Sequence, residues 1–151
     1  MKKSRTLKSI GEFGLIHEIE KWVPCAKDVV QGIGDDTAVF QGRDGRYQLF
    51  TIDTLVEGVD FRMNQATAQQ IGWKALAINL SDIAAMGGMP LYALVSVSLP
   101  KKTPVTKALG IFRGLSAAAK KYGVSVVGGD TSHNSHGIHL AVTLIGAHLP
   151  L

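Results

Sequence analysis

The chain has 151 residues, 46% of them hydrophobic, and carries sixteen Lys and Arg against twelve Asp and Glu for a net charge of +4. That length suits one domain with a real core, and no apolar run reaches the roughly 18–20 residues that span a bilayer. The basic residues are scattered and lack an aromatic–basic surface pattern, which argues against nucleic acid as a partner; the lone Cys25 excludes an internal disulfide and fits a cytoplasmic location.

Residues 1–10 read as a flexible N-terminal arm, basic at Lys2, Lys3 and Arg5 but with no signal-like apolar stretch after them. Gly11 to Val23 predicts a helix, with Phe13, Ile16, Ile19 and Trp22 at helical spacing and Pro24 ending it. Residues 37–41 and 47–53 predict two strands joined by the turn Gly42-Arg43-Asp44-Gly45. Ala66 to Met86 is a long helix, apolar on most sides and therefore covered; Gly87-Gly88 and Pro90 stop it.

Leu91 to Leu99 follows as a strand with two unlike faces, Leu and Val against Ser. Thr103-Pro104 opens another helix, whose expected packing stripe is Val105, Ala108, Leu109, Phe112, Leu115 and Ala119, closed by Gly123. Val124 to Val127 predicts a short buried strand, and Ile138 to Ile145 the last one. The order α, ββ, α, β, α, ββ implies an α+β domain over residues 11–151, with helices packed on one face of a mixed or antiparallel sheet. The segment from Ala147 to Leu151 reads as the start of a connection to a further domain.

Against this basic composition, four carboxylates stand inside or at the end of apolar or Gly-rich segments: Asp36, Asp53, Asp82 and Asp130. A carboxylate next to a core is costly unless a cation compensates it, and several from distant segments suggest a hard-cation site, with Mg²⁺ and phosphates the best fit. Asp35-Asp36 lie in a Gly-flanked turn, which fits an Asx-type cap equally well. Thr51 and Asp53 share one face of a strand. Asn79 and Asp82 are neighbours on one helix face. Gly128-Gly129-Asp130-Thr131 ends an apolar run and reads as a loop where backbone approaches a phosphate.

Standard nucleotide motifs are absent: there is no P-loop, and Gly32-x-Gly34 lacks the third glycine of a dinucleotide fingerprint. His133, His136 and His139 recur every three residues, which does not suit a strand face, and read as an exposed loop rather than a metal cluster.

The segments Gly32 to Val39, Ile52 to Phe61, Trp73 to Gly87 and Gly128 to Thr131, with Gly11-Glu12-Phe13 near the start, together closely resemble thiamine-monophosphate kinase. The resemblance covers nearly the whole chain but only that family's N-terminal half. It implies the AIR synthetase-like fold, a homodimer formed through the N-terminal domain, and ATP-dependent phosphorylation of thiamine phosphate to thiamine diphosphate. It implies Asp36, Thr51, Asp53, Asp82 and Asp130 as Mg²⁺ ligands, Gly129 and Asp130 against ATP, and no side chain acting as a catalytic acid or base. Asp60 stands where the family usually has His beside the substrate, and a carboxylate there repels a phosphate unless a metal lies between. Ser132-His133-Asn134 lacks the basic residue often found after the Asp. Sister enzymes of the superfamily (selenophosphate synthetase, the carbamoyl-dehydrating hydrogenase maturation protein, AIR synthetase) are the alternatives, as is a catalytically incomplete module for dimerisation and metal-phosphate binding. Little or no turnover is expected from this chain alone.

Overall fold

A computed structural model describes residues 5–148. The elements run α1 (Leu7–Glu20), β1 (Val29–Gln31), β2 (Ala38–Gln41), β3 (Tyr47–Val56), α2 (Ala68–Ala85), β4 (Gly88–Pro100), α3 (Val105–Tyr122), β5 (Ser125–Asn134) and β6 (His139–His148). The six strands form one sheet in the order β1-β2-β3-β6-β4-β5. Every neighbouring pair is antiparallel except β4–β5, so the sheet is mixed. α2 lies over β3, β6 and β4, and α3 packs on α2 and reaches β5. This is the expected α+β arrangement with helices on one face.

The core forms where period-two strands meet this helical layer. Val95, Val97, Leu140, Val142 and Leu144 point at the helices and are buried, as are Leu76, Ile83, Ile111 and Leu115 opposite them. α2 and α3 approach unusually closely because both are glycine-bearing at the crossing. A side chain on Gly72 would run into the Ile111 carbonyl, and one on Gly114 into that of Gln69. Close contact here rotates α3 away from its expected stripe. Gly110, Ile111, Gly114, Leu115, Ala118 and Ala119 are its buried residues, while Val105 and Leu109 are exposed.

Several boundaries differ from the sequence expectation for local reasons. α2 starts at Ala68 because Thr67 and Gln70 form a reciprocal cap, Gln70 N–H to Thr67 Oγ1 at 3.2 Å and Thr67 N–H to Gln70 Oε1 at 2.8 Å. β4 begins directly after the turn at Gly87, so Gly88 and Pro90 belong to the strand; a register shift between Pro90 and Tyr92 accommodates the missing N–H. β5 is neither short nor buried. It is a ten-residue exposed edge, carried past Gly128-Gly129 by parallel pairing with β4. His133 and His139 accordingly stand on β5 and β6, with His136 between them, rather than in one loop. β1 is three residues long and carries no periodic signal.

Of the expected arm, residues 1–4 lie outside the described residues, and Leu7 to Ile10 make one helical turn before a kink at Gly11 (φ 66°). The helix ends at Glu20, short of Val23. No residue of α1 is buried, and Phe13 is 85% exposed. The segment after Ala147 also falls largely beyond the described residues. Among the described residues no helix is long and apolar enough to cross a membrane.

Candidate functional site

β3 aims Leu49, Thr51, Asp53 and Leu55 at the helical layer, by the strand's two-residue period. The two leucines enter the core and the two polar residues meet the C-terminal part of α2. There Thr51 Oγ1 donates a hydrogen bond to Asp82 Oδ2 at 2.7 Å. Thr51 is only 8% exposed, so its hydroxyl is committed to this carboxylate. Asp53 lies two residues along the same face. Burial pushes its carboxyl above the ordinary carboxylate range, and the negative charges of Asp82 and Asp60 push it further in the same direction. No cationic side chain forms an ion pair with Asp53, Asp60 or Asp82 among the described residues.

Two buried polar atoms without partners flank this hydrogen bond. Asn79, one turn before Asp82, uses its Nδ2 to donate to the Ala75 carbonyl at 3.0 Å, but its Oδ1 accepts nothing. Thr37 precedes β2, and continuing the Ala38–Phe50 register places it beside Thr51; its Oγ1 is buried and unpartnered too. Unsatisfied buried oxygens are costly, and the local donor set is oxygen only. That chemistry suits a hard cation. Among the described residues, however, no three Asp, Glu, His or Cys side chains converge closely enough to hold a metal by themselves.

The sequence-derived residues are therefore not gathered into a single cluster. Thr51, Asp53 and Asp82 come together on the helix side of the sheet. Asp36 is exposed in the turn before β2, and its N–H donates to the Asp35 carboxylate at 2.9 Å. Asp130 is on the opposite side. It pairs with Ser96, Ser96 with Ala141 and Ala141 with Thr54, which places all four on the uncovered face, three strand spacings or about 14 Å across from β3. A shallow cavity of about 270 Å³ there is lined by Ile52, Ser96, Asp130 and Thr143 among others. Gly129 is required by β4, since a side chain at its φ of 156° would strike the Val95 backbone.

Asp60 closes its own loop: Asp60 N–H donates to the Val56 carbonyl at 2.9 Å and Val56 N–H to Asp60 Oδ2 at 2.8 Å. Lys74 Nζ donates to the Asp60 carbonyl at 2.8 Å. Sequence reasoning missed Thr37 and Lys74. Thr37 was visible only as the residue after the acidic pair, and Lys74 only as the residue two turns before Asp82 on the same helical stripe.

Comparison with known proteins places this geometry. Residues 34–148 match the family model described as AIR synthase related protein, N-terminal domain. The chain is 39% identical to thiamine-monophosphate kinase of Bacillus subtilis over 135 residues, covering 89% of this chain and 42% of that protein. It is likewise 39% identical to the enzyme of that name from Aquifex aeolicus, covering 93% of this chain and 43% of that one. Its backbone superposes on a solved structure of AaThiL complexed with AMPPCP and TMP with a TM-score of 0.86 and 38% identity, over 97% of this chain and 45% of that one. A HypE–HypF complex, at 22% identity and a TM-score of 0.69 over 90% of this chain and 43% of that one, shares the fold. The chain thus spans about two fifths of the length of the curated relatives it matches. By fold, by sequence and by the span of the match, the chain belongs to the family of AIR synthase related proteins, whose N-terminal domain it supplies.

Proposed function

We propose that this chain supplies the N-terminal domain of a thiamine-phosphate kinase, which transfers the terminal phosphoryl group of ATP to thiamine phosphate and forms thiamine diphosphate. The observation that carries the reading is the 38% identity, over 97% of the chain, to a structure holding AMPPCP, an ATP analogue, together with TMP. The hydrogen-bonded Thr51–Asp82 pair with Asp53 beside it supports the reading from the chain's own residues.

The chemistry asks little of an acid or base. A phosphomonoester has a second pKa of about 6 and is largely ionised at neutral pH, so its oxygen is already a nucleophile. The obstacle is the approach of two polyanions. Bound at Asp53, Asp82 and Thr51, Mg²⁺ would screen that repulsion and align an in-line transfer. Thr51 fixes the rotamer of Asp82, and the buried strand face holds Asp53 next to it. Asp130 stands apart from this group within one chain, and the role of Asp36 and Asp130 as ligands belongs to this proposal.

A homodimer is part of the same reading. The uncovered sheet face exposes Ile52, Tyr92 and Leu94, a pattern that suits pairing with a second copy. Grafting this chain onto the C-terminal portion of the Bacillus subtilis relative tests the proposal. Mg²⁺-dependent formation of thiamine diphosphate is expected from the graft and little or none from the chain alone; a folded graft without product overturns it. The second reading is a catalytically incomplete module for metal-phosphate binding and dimerisation. Nucleotide and Mg²⁺ binding with no product in either form would support it.

A further inference from the structure

α1 makes no layer with the rest of the domain. None of its residues is buried, and Leu15 and Ile19, with Trp22 in the turn after the helix, bring exposed apolar side chains to one stripe. Its charged residues pair among themselves: Lys21 Nζ donates to Glu18 Oε2 at 2.9 Å, and Arg5 donates to Glu18 Oε1 at 3.3 Å. A helix of 14 residues, kinked at Gly11, has little stability alone in water. Beyond it, Val23, Pro24, Val29, Ile33, Ala38 and Phe40 are among the residues that line an apolar groove of about 570 Å³. Ala38 and Phe40 alternate with the buried Val39, so the groove opens on the uncovered side of the sheet. Close-packed interiors hold few voids larger than a water molecule. An apolar groove of this size is therefore a surface for covering, not slack within the core.

Strand register identifies what lies nearest. Ala147 pairs with Gln48, Gln48 with Phe40 and Phe40 with Val29, one row across four strands. The outgoing end of β6 is therefore three strand spacings, about 14 Å, from the groove, a distance that about five extended residues cross. The structure of AaThiL complexed with AMPPCP and TMP matches 97% of this chain but only 45% of its own length, and what that match leaves out of this chain is shorter than α1. The backbone of α1 is thus matched in a chain more than twice as long.

We propose that the apolar stripe of α1 and the adjoining groove seat the polypeptide that follows this chain in the full-length protein. Its first segment crosses the row from β6 to β1 and sets apolar side chains into the groove. The inference rests on the reading that this chain is the N-terminal domain of a longer protein.

Amide hydrogen exchange, read by mass spectrometry in the 151-residue chain and in its graft onto the C-terminal portion of the Bacillus subtilis relative, tests the seat. The amides of α1 are expected to exchange about tenfold more slowly in the graft, because covering a marginal helix raises its local stability. Val23→Asp with Ile33→Asp is expected to return α1 to the rate of the 151-residue chain while β3 and β6 stay protected. Both substitutions lie outside α1, so they act on the groove and not on the helix itself. Equal exchange of α1 in the two forms overturns the proposal, as does protection that survives the double substitution. Protection in the 151-residue chain that grows with its concentration also overturns it, since a second copy then occupies the seat. A graft that protects α1 but makes no thiamine diphosphate overturns the kinase reading and leaves this inference standing; a productive graft with unprotected α1 does the reverse.

Discussion

The two faces of the sheet use the same backbone and the same alternation, yet do opposite things. On the helix side, Leu140, Val142 and Leu144 of β6 are fully buried. On the other side, neighbours one residue away in register, Leu94 and Ile52, remain 41% and 66% exposed. The covered face also carries Thr51, Asp53 and Asp82 at its margin, while Asp130 lies on the open one. A layer that is packed can hold polar groups in fixed geometry, because its side chains have nowhere else to go. A face without such a layer leaves its apolar side chains exposed.

The largest expected effect breaks the covered face. Leu140→Ala removes a fully buried side chain and should destabilise the chain by about 3 kcal/mol in denaturant unfolding. A loss similar to that of an open-face truncation would show that the two faces are equivalent. Next comes the polar margin. Asp82→Asn should weaken Mg²⁺ binding by about 100-fold, roughly 2.7 kcal/mol by the usual conversion, in a calorimetric titration; unaltered binding would remove Asp82 from the site.

The open face answers to a different assay. Ile52→Asp with Leu94→Asp should convert a dimer to a monomer in sedimentation while leaving unfolding of the monomer within about 0.5 kcal/mol. A dimer that survives both changes uses some other surface.

The smallest effect concerns Asp53 and pH. Its folded-state affinity for a proton is raised, so the folded chain holds that proton more tightly than the unfolded one. The resulting penalty is absent below the ordinary carboxylate range, develops as pH rises through the raised folded value, and is complete at neutral pH. Asp53→Asn should therefore stabilise the chain at pH 7 by less than about 1 kcal/mol, since the group is partly exposed and screened. The gain should vanish once the pH falls below the ordinary carboxylate range. A gain that persists unchanged in acid would show that the carboxylate's charge is not its source.

How much of this was legible beforehand depends on range. α2, α3, β3 and β6 were readable to within a few residues, because periodicity, Pro104 and Gly123 act within one turn of the chain. β5 misled because Gly128-Gly129 reads locally as a break, whereas its pairing with β4 overrides that preference. The α3 stripe misled because glycines at Gly72 and Gly114 let backbones meet where larger apolar residues would otherwise have chosen the contact.

The site shows the same division. The residue types alone led to the expectation of four carboxylates in costly places, but only Asp53 and Asp82 are partly buried, while Asp36 and Asp130 are exposed. Which carboxylates share a face was a tertiary matter. β6, the last strand among the described residues, inserts between β3 and β4. That insertion sets Asp130 across the sheet from Asp53, brings Glu57 to Ile138, and leaves Lys74 to meet Asp60 from α2. Strand order depends on which apolar faces bury best together, a sum over the whole core that no local segment contains.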